Sequence, residues 1–188
     1  MNIGIIAEDN SDVSVVRELT LTILRPRRIG FKHFVGHGCG KIRRKCSAWA
    51  TNLVRRGCPW IVVVHDLDIN DERQLKSDLL NEISGSGASA QIVLLPKREI
   101  EAWLLYDADA IAEVFSERTP LRLTGDPENL PDPKNYLGTQ ILRQYHKRYL
   151  STVHNEQIAR KINVRQLERS NSFAPHLPFV SQVRRNFR

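Results

Sequence analysis

The chain has 188 residues and a mass of 21.6 kDa, room for one domain whose core needs no disulfide staples. Hydrophobic residues are 41% and charged residues 26%, which excludes wholesale disorder, and no run approaches the roughly 18 apolar residues of a membrane helix. Lys plus Arg number 28 against 21 Asp plus Glu, a net charge of +7 that favours polyanionic partners through counterion release, or else only solubility. The opening MNIGIIAEDN lacks a basic n-region and a long apolar stretch, so no secretory signal is expected. Three cysteines, Cys39, Cys46 and Cys58, have no CxxC spacing and point to a reducing cytoplasm. The charge is segregated. Residues 1–58 hold 11 basic and 4 acidic side chains, residues 59–106 hold 4 and 8, and residues 107–188 hold 13 and 9.

In chain order, Asn2–Ala7 is a short β-branched run that predicts a buried strand. Val13, Val16, Leu19, Leu21 and Leu24 then recur at helical spacing and stop before Pro26. Gly30–Gly36 predicts a weaker strand, and Lys41–Arg56 a basic amphipathic helix ended by Gly57 and Pro59. Trp60–His65 is the strongest strand, Glu72–Ile83 a helix, Gln91–Leu95 a fourth strand, and Glu99–Tyr106 the start of another helix. Strands alternating with helices imply parallel crossovers, hence an α/β layered sheet of about four strands over residues 1–110. Residues 111–188 form an extension. Four of the nine prolines fall in the loop-rich stretch Thr119–Tyr136, and two basic helices are expected over Gly138–Tyr149 and Gln157–Arg169. The tail from Ser170 carries Phe173, Leu177, Phe179 and Val180, apolar enough to dock on the domain.

Ligands of open parallel sheets bind beyond the carboxyl ends of the strands. Three of the four strands end in acids here. Glu8 and Asp9 follow the first, Asp66 and Asp68 the third, and Glu99 and Glu101 the fourth. Such a cluster repels itself until a hard divalent cation binds. Mg²⁺ takes oxygen ligands and usually one or two carboxylates, and two such ions can clamp a phosphodiester displacement. Asp66 and Asp68, spaced i, i+2, point the same way if the chain stays extended, and Glu8 joins them only if the first and third strands are neighbours. Lys97 or Arg98 is placed to neutralise charge on a phosphoryl group. Each acid alone also has a plainer reading: Asp9, Asp68 and Asp71 as helix caps, Glu99 and Glu101 as favourable charges at a helix N-terminus.

The string PKREIEAWLLYDADAI, the acid-rich loop after the first strand, HDLD after the third, DPENLPDPKNYL and INVRQLERSNSFAPHLPFV together resemble a family of small bacterial Toprim-like proteins of unknown function, related to the nuclease domain of OLD-type proteins. The resemblance spans nearly the whole chain. It implies a Toprim-like, Rossmann-like sheet and a Mg²⁺- or Mn²⁺-dependent nuclease of phage defence or a mobile element, with a partner ATPase or other defence protein. Toprim domains hold Mg²⁺ through a Glu after the first strand and an Asp-x-Asp after the third, here Glu8, Asp66 and Asp68. Glu101 is then a further acid and Asp12 a ligand to a second ion or a group behind the first. The family's Glu-Gly-x-Thr-Glu is replaced here by Glu8-Asp9-Asn10-Ser11-Asp12, without the glycine.

The stretch Gly36–Lys41 is one residue short of a P-loop and has Ile42 where Ser or Thr is required. Lys41, Arg43, Arg44 and Lys45, with Trp49 nearby, are the expected contacts to a nucleic-acid backbone, or else a solvated helix face. His65 either orients Asp66, binds metal or packs at the core edge. Tyr145–Arg148 is a second basic run, and Trp103 and Leu104 are expected in the core. A rival reading is a non-catalytic or receiver-like regulatory module. Acids after the first strand, Asp66 and Lys97 are similar to a phosphoacceptor receiver, although Pro96 precedes rather than follows Lys97.

Overall fold

The apolar runs of the first and third strands are buried on both faces at the centre of the sheet, while the second and fourth, at its edges, are only partly buried. The computed structural model describes residues 2–24, 29–36 and 39–186. In it β1 (Asn2–Ala7), α1 (Asn10–Leu24), β2 (Gly30–Val35), α2 (Cys39–Arg55), β3 (Trp60–Val64), α3 (Glu72–Ser84) and β4 (Ala90–Leu94) alternate along the chain. All three strand pairings are parallel and the order is β2-β1-β3-β4. This is the expected parallel α/β sheet flanked by helices. His37 and Gly38 of the glycine-rich turn, and Pro26 after the first helix, lie outside the described residues.

Side chains of a strand alternate between faces. On β3, Trp60, Val62 and Val64 join Ile3, Ile5 and Ala7 of β1 against α1 and the later helices. Ile61 and Val63 join Ile6 against α2 and α3, where Ile42, Cys46, Leu53, Leu75 and Leu79 meet them. Helix α2 lies very close to β1. A Cβ at Gly4 would stand 2.8 Å from Ile61 Cδ1 and 3.0 Å from Leu53 Cδ1, so a larger residue there would have to push both side chains aside. No helix among the described residues is long and apolar enough to cross a membrane.

The second part of the chain adds α4 (Glu101–Leu104), α5 (Ala108–Val114), a 3-10 turn at Pro127–Asn129, α6 (Pro133–Tyr145), α7 (Ser151–Lys161), α8 (Val164–Leu167) and α9 (His176–Arg185). Its side chains share the core of β1 and α1. Leu137, Ile158, Phe173 and Val180 belong to the same buried cluster as Ile3 and Leu19. The boundaries differ from the periodicity for local reasons. Helix α6 begins five residues earlier than expected because Asp132 caps it through Asn135 N–H and Pro133 sits in the first turn. It ends at Tyr145 because His146 turns left-handed (φ 55°). The expected helix over Gln157–Arg169 starts at Ser151 and breaks after Lys161, where Asn163 caps the separate α8. The helix expected over Glu99–Tyr106 shortens to α4, since Asp107 starts α5 and also accepts Asn163 N–H at 2.8 Å.

Two buried polar groups tie this part down. Glu128 accepts Ser170 Oγ–H at 2.7 Å, Ser172 N–H at 2.9 Å and Ser172 Oγ–H at 2.5 Å. His176, fully buried, contacts Thr20 Oγ1 through Nε2 at 2.8 Å. The Thr20 hydroxyl gives its one proton to Val16 O at 2.7 Å, so His176 donates from Nε2 and its Nδ1 lone pair has no partner. Burial pushes the imidazole pKa down to about 3 from its ordinary 6.5. The unfolded chain therefore binds a proton that the folded one refuses. Stability is complete above pH 6.5 and falls, by up to about 1.4 kcal/mol per pH unit, as pH drops toward 3. Urea midpoints measured from pH 7 to pH 4 should show this fall in the native chain and a shallower one in His176→Leu. Equal slopes would refute the assignment.

Candidate functional site

Strand order reverses at β1. The chain steps outward to β2 on one side and to β3 and β4 on the other, and α1 and α2 therefore cover opposite faces. The crevice of such a sheet lies between β1 and β3, at their carboxyl ends. Ile6 pairs with Val63, so Glu8 and Asp66 emerge side by side. The condition for Glu8 joining the acids after the third strand is met. Asp66 N–H donates to Glu8 Oε1 at 3.2 Å, and His65 Nδ1 lies 3.2 Å from the same oxygen. His65 Nδ1 also lies 2.7 Å from the Asp66 carbonyl. Both neighbours only accept, so Nδ1 carries the proton, and the buried Nε2 has no partner. His65 thus braces Glu8 and the turn at Asp66.

Asp66 is the centre of the cluster. Burial first, and then the charges of Asp12, Glu8, Glu101 and Asp68, push its pKa well above the ordinary carboxylate range. Its Oδ1 is buried without a hydrogen-bond partner. Asp12 is raised to about 8, by burial and then by Asp9, Glu101 and Glu8. Glu8 is raised by burial, opposed by His65 and the Asp66 N–H. Four expected site acids, Glu8, Asp12, Asp66 and Glu101, are therefore near enough to act on one another electrostatically, and Asp68 acts on Glu8 and Asp66.

Two of the plainer readings also hold. Asp9 and Asp12 cap α1 reciprocally, Asp12 N–H donating to Asp9 Oδ1 at 3.0 Å and Asp9 N–H to Asp12 Oδ2 at 3.1 Å. Asp71 caps α3. Asp68 does not share an extended segment with Asp66, because β3 ends at Val64 and Asp68 is left-handed (φ 48°). Its exposed side chain lines a groove of about 380 Å³ with Lys97, Arg98, Glu72 and the 128–131 segment. Arg98 is left-handed as well (φ 65°). Two non-glycine residues held in this region cost of order 1–3 kcal/mol each, and such strain clusters at ligand sites.

The basic cluster of α2 lies beside the loop after β3, since Arg43 donates to Asn70 Oδ1 at 2.8 Å. Arg43, Arg44 and Lys45 are exposed and Lys41 is half-buried. Trp49 stacks on Phe34 with ring centres 5.4 Å apart. In the second basic run Tyr145 is buried and Lys147 pairs with Glu117 at 2.7 Å, so both are structural.

Sequence reasoning missed the groups that hold Glu101. Asn155 Nδ2 donates to Glu101 Oε1 at 3.0 Å and to Ser11 Oγ at 2.8 Å. The Tyr149 hydroxyl donates to Asn155 Oδ1 and lies 3.3 Å from Glu101 Oε1. No motif marks these residues, which stand 48 and 54 positions from Glu101 in the chain.

Whether the acids suit a divalent cation is decided by donor type and by the orphaned oxygen. Among the described residues no three Asp, Glu, His or Cys side chains stand close enough to share one ion as they are. Mg²⁺ needs no such trio, because it keeps most of its waters and takes one or two carboxylates. An all-oxygen set around an unpartnered, buried Asp66 Oδ1 fits it.

Fold and site together define a parallel α/β protein with an acidic centre at its topological switch point. The chain belongs to the family described as Domain of unknown function (DUF4276), whose model matches residues 8–178, from Glu8 itself into α9. Neither the curated proteins nor the solved structures provide a match.

Proposed function

We propose that the chain is a Toprim-like phosphodiesterase that cuts DNA or RNA with Mg²⁺ or Mn²⁺, in phage defence or a mobile element, working with an ATPase or another defence protein. Asp66 carries the proposal. It is a half-buried carboxylate whose Oδ1 is buried and unpartnered, with the charges of four more acids acting on it at the crevice of the sheet. Glu8 and Asp66 are the residues to hold a first ion, with Asp12 and Asp68 available to a second. A bound dication would stabilise the developing phosphoryl charge and lower the pKa of an attacking water. His65 keeps Glu8 aimed at the crevice. Lys97 and Arg98 draw the phosphate into the groove beside Asp68, and Arg43, Arg44, Lys45 and Lys41 extend the positive rim for the rest of the strand.

The rival is a receiver-like role, in which Asp66 would accept a phosphoryl group. The test is direct. Purified protein is incubated with plasmid DNA, single-stranded DNA and RNA, with and without Mg²⁺ or Mn²⁺, beside Asp66→Ala/Asp68→Ala. Metal-dependent cleavage lost in the variant is the expected result. Absence of both cleavage and metal binding in the native chain would sink the proposal, and labelling of Asp66 by acetyl phosphate would favour the receiver.

A further inference from the structure

The acidic centre includes a part built by the C-terminal half of the chain. Asn155, on α7, is 0% exposed, and every polar atom of its amide is used. The proton count sets a direction. Burial and the charge of Glu101 hold the Tyr149 hydroxyl in its protonated form, so it has one hydrogen, and the nearer acceptor is Asn155 Oδ1. That contact turns the amide so that its two N–H bonds face Glu101 Oε1 at 3.0 Å and Ser11 Oγ at 2.8 Å. Ser11 passes its own hydrogen to Ser151 O at 3.4 Å. The chain of donors runs from Tyr149 through Asn155 to a carboxylate whose charge acts on both Asp12 and Asp66. Its other branch runs through Ser11, in the first turn of α1 between Glu8 and Asp12, and returns to α7 at Ser151.

A buried carboxylate among like charges keeps one orientation only if donors hold it. We propose that Asn155 is a positioning residue of the acidic centre, holding Glu101 and the first turn of α1 in register for the divalent cation, with Tyr149 fixing its amide. This rests on the metal-dependent reading above.

The test is Mn²⁺ titration calorimetry on the full chain for the native protein, Asn155→Ala, Tyr149→Phe, Glu101→Gln and the Asn155→Ala/Glu101→Gln pair, with a melting curve for each. Asn155→Ala should weaken Mn²⁺ binding about tenfold or more, and Tyr149→Phe by a smaller factor. In the Glu101→Gln background the Asn155→Ala loss should shrink to about twofold or less, because the residue acts through that carboxylate. An undiminished loss in that background overturns the proposal, as does native-like affinity in Asn155→Ala. Should Asn155→Ala fail to fold, native affinity in Tyr149→Phe overturns it. A native chain that binds no Mn²⁺ removes the metal reading itself, and this inference with it.

Discussion

Asp66→Asn is expected to reduce metal-dependent cleavage by roughly 10³-fold and, with the metal chelated, to make the protein more stable. The two effects have one cause. The native side chain is half-buried near Asp12, Glu8, Glu101 and Asp68, which disfavour its charge, and its buried Oδ1 has no partner. Because its folded pKa is raised, the folded state binds the proton more tightly than the unfolded chain does. That contribution to stability is present at acid pH and is lost as pH climbs from the ordinary carboxylate value of 3.8. The amide keeps the shape without the charge. The gain in metal-free stability should be about 1 kcal/mol at pH 8 and vanish near pH 4. Cleavage rates in Mn²⁺ and urea midpoints in chelator measure the two arms. An asparagine variant that still cuts, or one no more stable than the native chain at pH 8, would contradict this account.

Trp103→Ala is expected to cost about 3–5 kcal/mol, the largest loss of any single core truncation here. Trp103 is 0% exposed and packs edge-on against Phe173 with ring centres 5.2 Å apart. Its Nε1–H donates to Ser172 Oγ at 2.7 Å, and that hydroxyl donates onward to Glu128. One indole therefore joins α4 to the tail that docks across the molecule. For a chain of this size the midpoint should fall by roughly 6–20 °C. Trp103→Phe keeps much of the packing and loses the hydrogen bond, so it should fall between the two. Because Glu101 shares the short helix, Trp103→Ala should also weaken Mn²⁺ binding. Calorimetric melting and Mn²⁺ titration of the three proteins measure this, and a melting point for Trp103→Ala within 2 °C of the native value, far inside the expected fall, would contradict the packing argument.

Much of this protein is determined by its local sequence. NIGIIA and WIVVV are rich in β-branched, apolar residues, and near-continuous runs of this kind suit a parallel sheet covered on both faces. The β-α-β alternation then leaves few topologies, and it places Glu8, Asp66 and Lys97 at one edge before any coordinate is known. The helices of the second half were less legible because caps, not periodicity, set their ends. Asp132-Pro133 and Asn163 were visible signals for α6 and α8, whereas the left-handed turn at His146 has no glycine to announce it.

Only the tertiary structure decided which acids come near enough to act on one another. The strand order β2-β1-β3-β4 makes Glu8 and Asp66 neighbours, and a strand order is a matter of long-range pairing that no local pattern encodes. The same holds for Asn155 and Tyr149. An isolated polar residue in a polar helix has no periodicity to reveal it, and its role exists only once α7 packs against α1 and α4. Composition and spacing determined that this chain carries a ring of carboxylates on a parallel sheet. Burial, which the fold alone supplies, decided that Asp66 is the one left without a partner.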